Sequence, residues 1–159
     1  MRTRIALFAI MAWAAIGASA AAQETVNFTP PLAISFPVTN VSVTTSGAPH
    51  PATITFSQAN LSAGQALRVS VQADAAAFTP PSGSSIPASN LSWTTVGAGG
   101  GIGSNGTLSS SSYTLVFQSD PGQTSGHADL AWTLAAPGAG IRAGSHQLTI
   151  RWKLESITP

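Results

Sequence analysis

The chain of 159 residues contains no cysteine. Disulfide bonds, thiol catalysis and cysteine-based metal sites are therefore excluded. Charged residues are also scarce, because Asp, Glu, Lys and Arg make up 7% of the sequence, against about a quarter in typical globular proteins. Packing and sheet hydrogen bonding must supply the stability, and the abundant serine and threonine hydroxyls must keep the surface hydrated.

The few charges nearly balance once the first 22 residues are set aside. Two of the six basic residues lie there, which leaves four bases against five acids and a net charge of −1. Because nucleic-acid binding needs a basic surface, no nucleic-acid partner is expected. Weak self-repulsion leaves close association between copies unopposed. The charged residues are Arg68, Arg142, Arg151, Lys153, Glu24, Asp74, Asp120, Asp129 and Glu155.

The chain has no apolar run of eighteen residues, the length that a membrane-spanning helix needs. Its longest run, residues 5–16, follows Arg2 and Arg4 and precedes the small residues 17–20. These three parts predict a signal peptide over residues 1–20, with cleavage after Ala22 as the alternative. We expect a secreted, periplasmic or cell-surface protein, one domain over residues 21–159, and no membrane insertion after the signal is removed.

Apolar residues alternate with polar ones along most of the remaining chain, which indicates half-buried β-strands. The clearest runs are residues 26–38, 67–73, 113–117, 127–134 and 148–154. Glycine, proline, asparagine and serine separate them, as expected for turns. The predicted fold is all-β: a single immunoglobulin-like antiparallel β-sandwich of about seven or eight strands.

Two further structural predictions follow from local patterns. The two final runs flank a loop rich in glycine and proline, so they are expected to pair antiparallel, which would bring Trp132 and Trp152 together on one face. The six glycines within residues 97–106 predict a mobile loop.

The motifs that could indicate catalysis or cofactor binding lack the surrounding sequence that those functions need. The Gly101-x-Gly103-x-x-Gly106 pattern matches a dinucleotide-binding turn, but no helical pattern follows it. His127 and Asp129 share the outward face of one predicted strand, an arrangement that composition alone can produce. We therefore predict no enzymatic activity, no cofactor, and no catalytic, cofactor-binding or metal residues.

The carboxyl-terminal segment, residues 141–152, reads Ile-Arg-Ala-Gly-Ser-His-Gln-Leu-Thr-Ile-Arg-Trp. It resembles the final strand of cysteine-free, fimbrial-like and spore-coat-U-like bacterial surface domains. Those families usually have an aromatic residue two positions after the glycine, where this chain has His146. The resemblance implies an immunoglobulin-like sandwich and a surface structural role, and it brings no catalytic residues.

The sequence thus predicts an exported, non-enzymatic surface protein of structural, pilin-like or adhesive type. The long alternation before residue 38 suggests a strand added to another copy, and the competing interpretation makes it the first strand of its own fold, changing sheets at Pro30-Pro31. Partners would be other copies, other surface proteins or polysaccharide. The candidate assembly residues are Val26, Phe28, Leu32, Ile34 and Phe36.

A carbohydrate-binding module is the alternative function. Exposed Trp93, Trp132 and Trp152 would form a platform on which sugar rings stack. Each tryptophan lies on the apolar face of its predicted strand, so packing in the core is the favoured interpretation of all three.

Overall fold

The computed structural model describes residues 23–159, so the predicted signal peptide lies outside the described residues. Strands make up the regular structure, and the described residues contain no α-helix and one short 3-10 turn, Ala88–Asn90. None of the described residues forms a helix long and apolar enough to span a bilayer. The strands are β1 Thr25–Thr29, β2 Thr45–Ser46, β3 Ala52–Asn60, β4 Ala66–Ala73, β5 Leu91–Gly99, β6 Gly101–Gly103, β7 Gly106–Thr107, β8 Thr114–Ser119, β9 Gly126–Leu134 and β10 Ile150–Ile157.

The strands form two antiparallel sheets. The first sheet has the order β1-β3-β9-β5-β7, with β2 also paired to β9, and the second has the order β10-β4-β8-β6. The predicted all-β class with antiparallel pairing is confirmed. Ten strands replace the predicted seven or eight because β2, β6 and β7 have only two or three residues, too few to show alternation.

Apolar side chains from both sheets fill one core. On β3, Ile54 and Phe56 are buried while the threonines beside them are exposed, as alternation requires. The rings of Phe56 in the first sheet and Phe117 in the second lie 5.8 Å apart. The inward-facing residues of the two sheets therefore pack directly against each other.

The predicted pairing of the two final strands is wrong. Strand β9 lies inside the first sheet between β3 and β5, and β10 is an edge strand of the second sheet, paired with β4. Trp132 is consequently opposite Trp93, with ring centroids 5.0 Å apart, while Trp152 packs near Phe28 at 5.7 Å. Alternation specifies which face of a strand is buried but not its partner, and residues 135–149 are enough chain to reach the other sheet.

The predicted mobile glycine loop is also wrong. Here the chain passes from β5 in the first sheet to β6 in the second, back to β7 in the first, and then to β8 in the second. Gly100 turns the chain with φ +73°, and a side chain on Gly101 would collide with the backbone of Gln118 and Ser119. These glycines allow close approach between chain segments rather than mobility.

The crossings join the two sheets on one side of the molecule. The opposite edges of the sheets are β1 and β10, each paired with a single neighbouring strand. We call this second side the open side, because no described strand connects the two sheets there.

Candidate assembly and binding site at the open side

Strands β1 and β10 meet at one end of the open side. The rings of Phe28 and Trp152 approach each other across it. Beside them, Glu24 accepts a hydrogen bond from the backbone N–H of Ser62 at 2.8 Å and another from the hydroxyl of Ser156. These bonds favour the ionised carboxylate and so lower the pKa of Glu24. The residue before β1 is therefore tied to the turn that follows β3, with the end of β10 beside it.

The rest of the open side is a cleft between residues 30–41 and residues 141–152. It contains two adjoining cavities of about 780 Å³ and 420 Å³, with five lining residues in common. Its walls combine apolar side chains with a number of polar groups, a composition found in sites that hold a ligand. The large apolar residues of the walls are Leu32, Ile34, Phe36, Val38, Val41, Phe78, Ile86, Leu91, Trp132, Leu134, Ile141, Leu148, Ile150 and Trp152.

Polar groups gather at one part of the cleft. The Nε2 atom of His146 donates a hydrogen bond to the backbone carbonyl of Arg142 at 3.0 Å. The Nδ1 atom of the same ring is buried and has no hydrogen-bond partner. The side chain of Arg142 is exposed beside Gly83, and no carboxylate of the described residues forms an ion pair with it.

The candidate assembly residues lie within the fold of their own chain. Val26 and Phe28 belong to β1, which pairs with β3, while Ile34 and Phe36 pack against the core and line the cleft. Leu32 is fully exposed. The segment does not change sheets after its proline pair, because Ser35 pairs with Ala48, two residues beyond β2 of the same sheet.

The three tryptophans do not form a common exposed platform. Trp93 and Trp132 retain 2% and 1% of their accessible surface, so neither offers a ring face for stacking on a sugar. Their packing in the core agrees with the favoured interpretation of the sequence. Trp152 is half-buried and contacts Phe28, which leaves it as the single partly exposed member of the predicted set.

His127 and Asp129 do lie on the outward face of β9, as alternation predicts. Asp129 accepts a hydrogen bond from the Thr53 hydroxyl at 2.6 Å, and the two side chains cover Gly97 and Gly99 of the neighbouring strand. In the part of the chain that the structure describes, no three His, Asp or Glu residues are grouped closely enough to hold a metal ion. The pair fills the space that the glycines leave open.

Sequence reasoning missed the cleft itself. Phe78 and Ile86 lie in a stretch rich in proline and serine with no alternation, yet they are buried and line the larger cavity. Backbone hydrogen bonds between Phe78 and Ile86 and between Thr79 and Gln147 hold this stretch near the cleft. The sequence feature that could have indicated this part of the cleft is the pair of large apolar residues in a loop of otherwise small and polar residues.

Comparison with protein-family models, curated proteins and solved structures finds no match to this chain.

Proposed function

We propose that this protein is an exported, non-enzymatic structural subunit of a bacterial cell surface, whose copies join by exchanging their amino-terminal segments. The exchanged part is residues 23–37, which contains β1. We further propose that the two sheets form an immunoglobulin-like sandwich, in keeping with the resemblance of residues 141–152 to fimbrial-like domains. The geometry of the open side is the support for this proposal.

The observation that carries it is the weak attachment of the segment to its own chain. Strand β1 is an edge strand, and each of its residues is exposed or only half-buried. Beyond Thr29, the sole strand-type pairing in residues 30–37 is the isolated bridge of Ser35 to Ala48. The fully buried side chains belong to other strands, and Val26, Phe28, Ile34 and Phe36 pack against them from outside.

Exchange creates no contact that the monomer lacks. The segment leaves its place beside β3 and occupies the same place in the next copy, so one set of contacts replaces another. Main-chain hydrogen bonds would supply affinity, while Val26 and Phe28 would enter the half-buried sites that they occupy in the monomer. When each copy gives its segment to one neighbour and receives one from another, the product is a linear, head-to-tail polymer.

A synthetic peptide of residues 23–37 tests this proposal. The full chain is concentrated with and without the peptide, and polymer length is followed by light scattering and electron microscopy. The peptide should occupy vacated sites and shorten the polymers. A control peptide with Phe28→Ser and Ile34→Ser should have little effect. A chain that stays monomeric at high concentration, or polymers unaffected by the first peptide, would refute the proposal.

A further inference from the structure

The larger cavity of the cleft has features that strand exchange does not use. An exchanged segment returns Ile34 and Phe36 to the positions they have in the monomer, so the cavity of about 780 Å³ stays open in the polymer. We propose that this cleft binds an amphiphilic small molecule: an extended alkyl chain that carries an anionic head group.

The shape and walls of the cleft fit the alkyl part. The two cavities share Ile34, Phe36 and Leu148 among their lining residues, so they lie side by side along the cleft. These three side chains pack against the core but are only half-buried. A bound chain would remove their exposed apolar surface from water, and each methylene that it buries adds to the affinity.

The charge distribution fits an anionic head. Arg142 is the single charged residue that lines either cavity, and no acid lines them. The two ion pairs found among the described residues, Arg151 with Asp74 and Lys153 with Glu155, involve other side chains. The guanidinium is thus available to a ligand carboxylate, which it can bind through two hydrogen bonds.

Unpartnered polar atoms belong to lining residues of both cavities. Three buried side-chain atoms of the described residues have no hydrogen-bond partner, and two of them, His146 Nδ1 and Trp132 Nε1, belong to residues that line the cleft. A buried polar atom without a partner is costly. His146 lies beside Arg142 in the larger cavity, and with Nε2 as the donor to the Arg142 carbonyl, Nδ1 of the neutral ring is an acceptor that bonds an O–H or N–H group rather than the carboxylate itself.

Dodecanoate, kept below its micelle concentration, is a suitable probe for the full chain. Isothermal titration calorimetry should detect saturable binding, weaker by about tenfold or more for octanoate, because four methylenes are lost. Dodecyltrimethylammonium has the same chain and the opposite charge, and it should bind at least about fivefold more weakly than dodecanoate.

Two variants decide whether the assigned residue is responsible. Arg142→Gln should weaken dodecanoate binding by about fivefold to tenfold and leave the binding of dodecyltrimethylammonium unchanged or stronger. Lys153→Gln removes an equal charge that lines neither cavity and should leave dodecanoate binding unchanged. Absence of saturable dodecanoate binding, equal binding of the two amphiphiles, or no effect of Arg142→Gln would each overturn the proposal.

Discussion

At the scale of single residues, the tryptophans show how environment separates side chains that have the same pattern in sequence. Trp132 packs against Trp93 with almost no accessible surface, whereas Trp152 keeps part of its surface exposed at the open side. Both tryptophans occupy the same kind of position in an alternating run, because alternation shows which face of a strand is apolar and not how deeply that face is covered.

Replacing these two tryptophans should therefore have unequal effects. Trp132→Ala should lower the free energy of unfolding by about 3 to 5 kcal/mol, the usual loss for a large buried aromatic residue. Trp152→Ala should cost about half as much, since half-burial removes less apolar surface from water. Urea denaturation of both variants measures the difference. Equal losses of stability would show that Trp152 is buried as deeply as Trp132.

Glu24 gives a pH-dependent contribution at the same end of the molecule. Hydrogen bonds from Ser62 and Ser156 lower its pKa in the folded state below the ordinary value of 4.5. A group with a lowered folded-state pKa stabilises the fold above its unfolded pKa, and that contribution is lost as the pH falls through the folded pKa. The attachment of the start of β1 to Ser62, in the turn after β3, should therefore weaken in acid.

The variant Glu24→Gln tests this attachment. Its urea midpoint should lie below that of the unaltered chain at neutral pH, and the two midpoints should converge at a pH well below 4.5. Glu155→Gln serves as a control, because Glu155 forms its ion pair with Lys153 of the same strand and is paired with Arg68 of β4. A difference that is the same at neutral and acidic pH would mean that the carboxylate charge is not what holds the strand.

At the scale of elements, apolar residues at every second position of the sequence predict β4, β8, β9 and β10, although burial follows that alternation regularly in β9 and not in β4, which is covered on both faces. Their partners are a different matter. Any two amphipathic strands can pair, and the choice depends on the whole core, so β10 joined β4 rather than β9. The position of the cleft depends on which strands pair, so the sequence alone could not predict it.

The glycine-rich crossing, residues 97–106, has a role that the sequence does not predict. Gly101 lies against the backbone of β8, where the neighbouring atoms cannot move aside. Gly97, in contrast, faces the carboxylate of Asp129, which is the far end of a flexible side chain. Composition alone predicts flexibility for both positions, whereas in the fold the first is a steric requirement.

Alanine substitution should separate the two positions. Gly101→Ala should destabilise the protein by about 1 to 3 kcal/mol, the usual cost of added volume in a tightly packed place. Gly97→Ala should cost less than about 1 kcal/mol, because Asp129 can shift. Thermal or urea unfolding gives both values. A neutral Gly101→Ala variant would favour the mobile-loop interpretation.

At the scale of the whole molecule, the two sides of the fold differ in structure. One side is joined by glycine crossings, and the other presents two edge strands, an apolar cleft and a segment that is only half-buried. Natural proteins usually protect such edges with charge or proline. Here Pro30 and Pro31 follow β1, and Arg151, Lys153 and Glu155 lie on β10, which should limit uncontrolled pairing while leaving exchange of the segment open.

A reducible disulfide that holds β1 in its own chain tests the exchange most directly. Because the natural chain has no cysteine, the two introduced cysteines can pair only with each other or with those of another copy. Thr29 and Thr55 are paired across β1 and β3, so Thr29→Cys with Thr55→Cys should form a disulfide that holds the segment in its own chain. Ser92→Cys with Thr133→Cys, paired across β5 and β9, is the matched control. Polymerisation is followed by light scattering under oxidising and reducing conditions. We expect the locked chain to remain monomeric until reductant restores polymers, with the control assembling in both conditions. Oxidised, locked chains that polymerise like the control would contradict exchange of the segment.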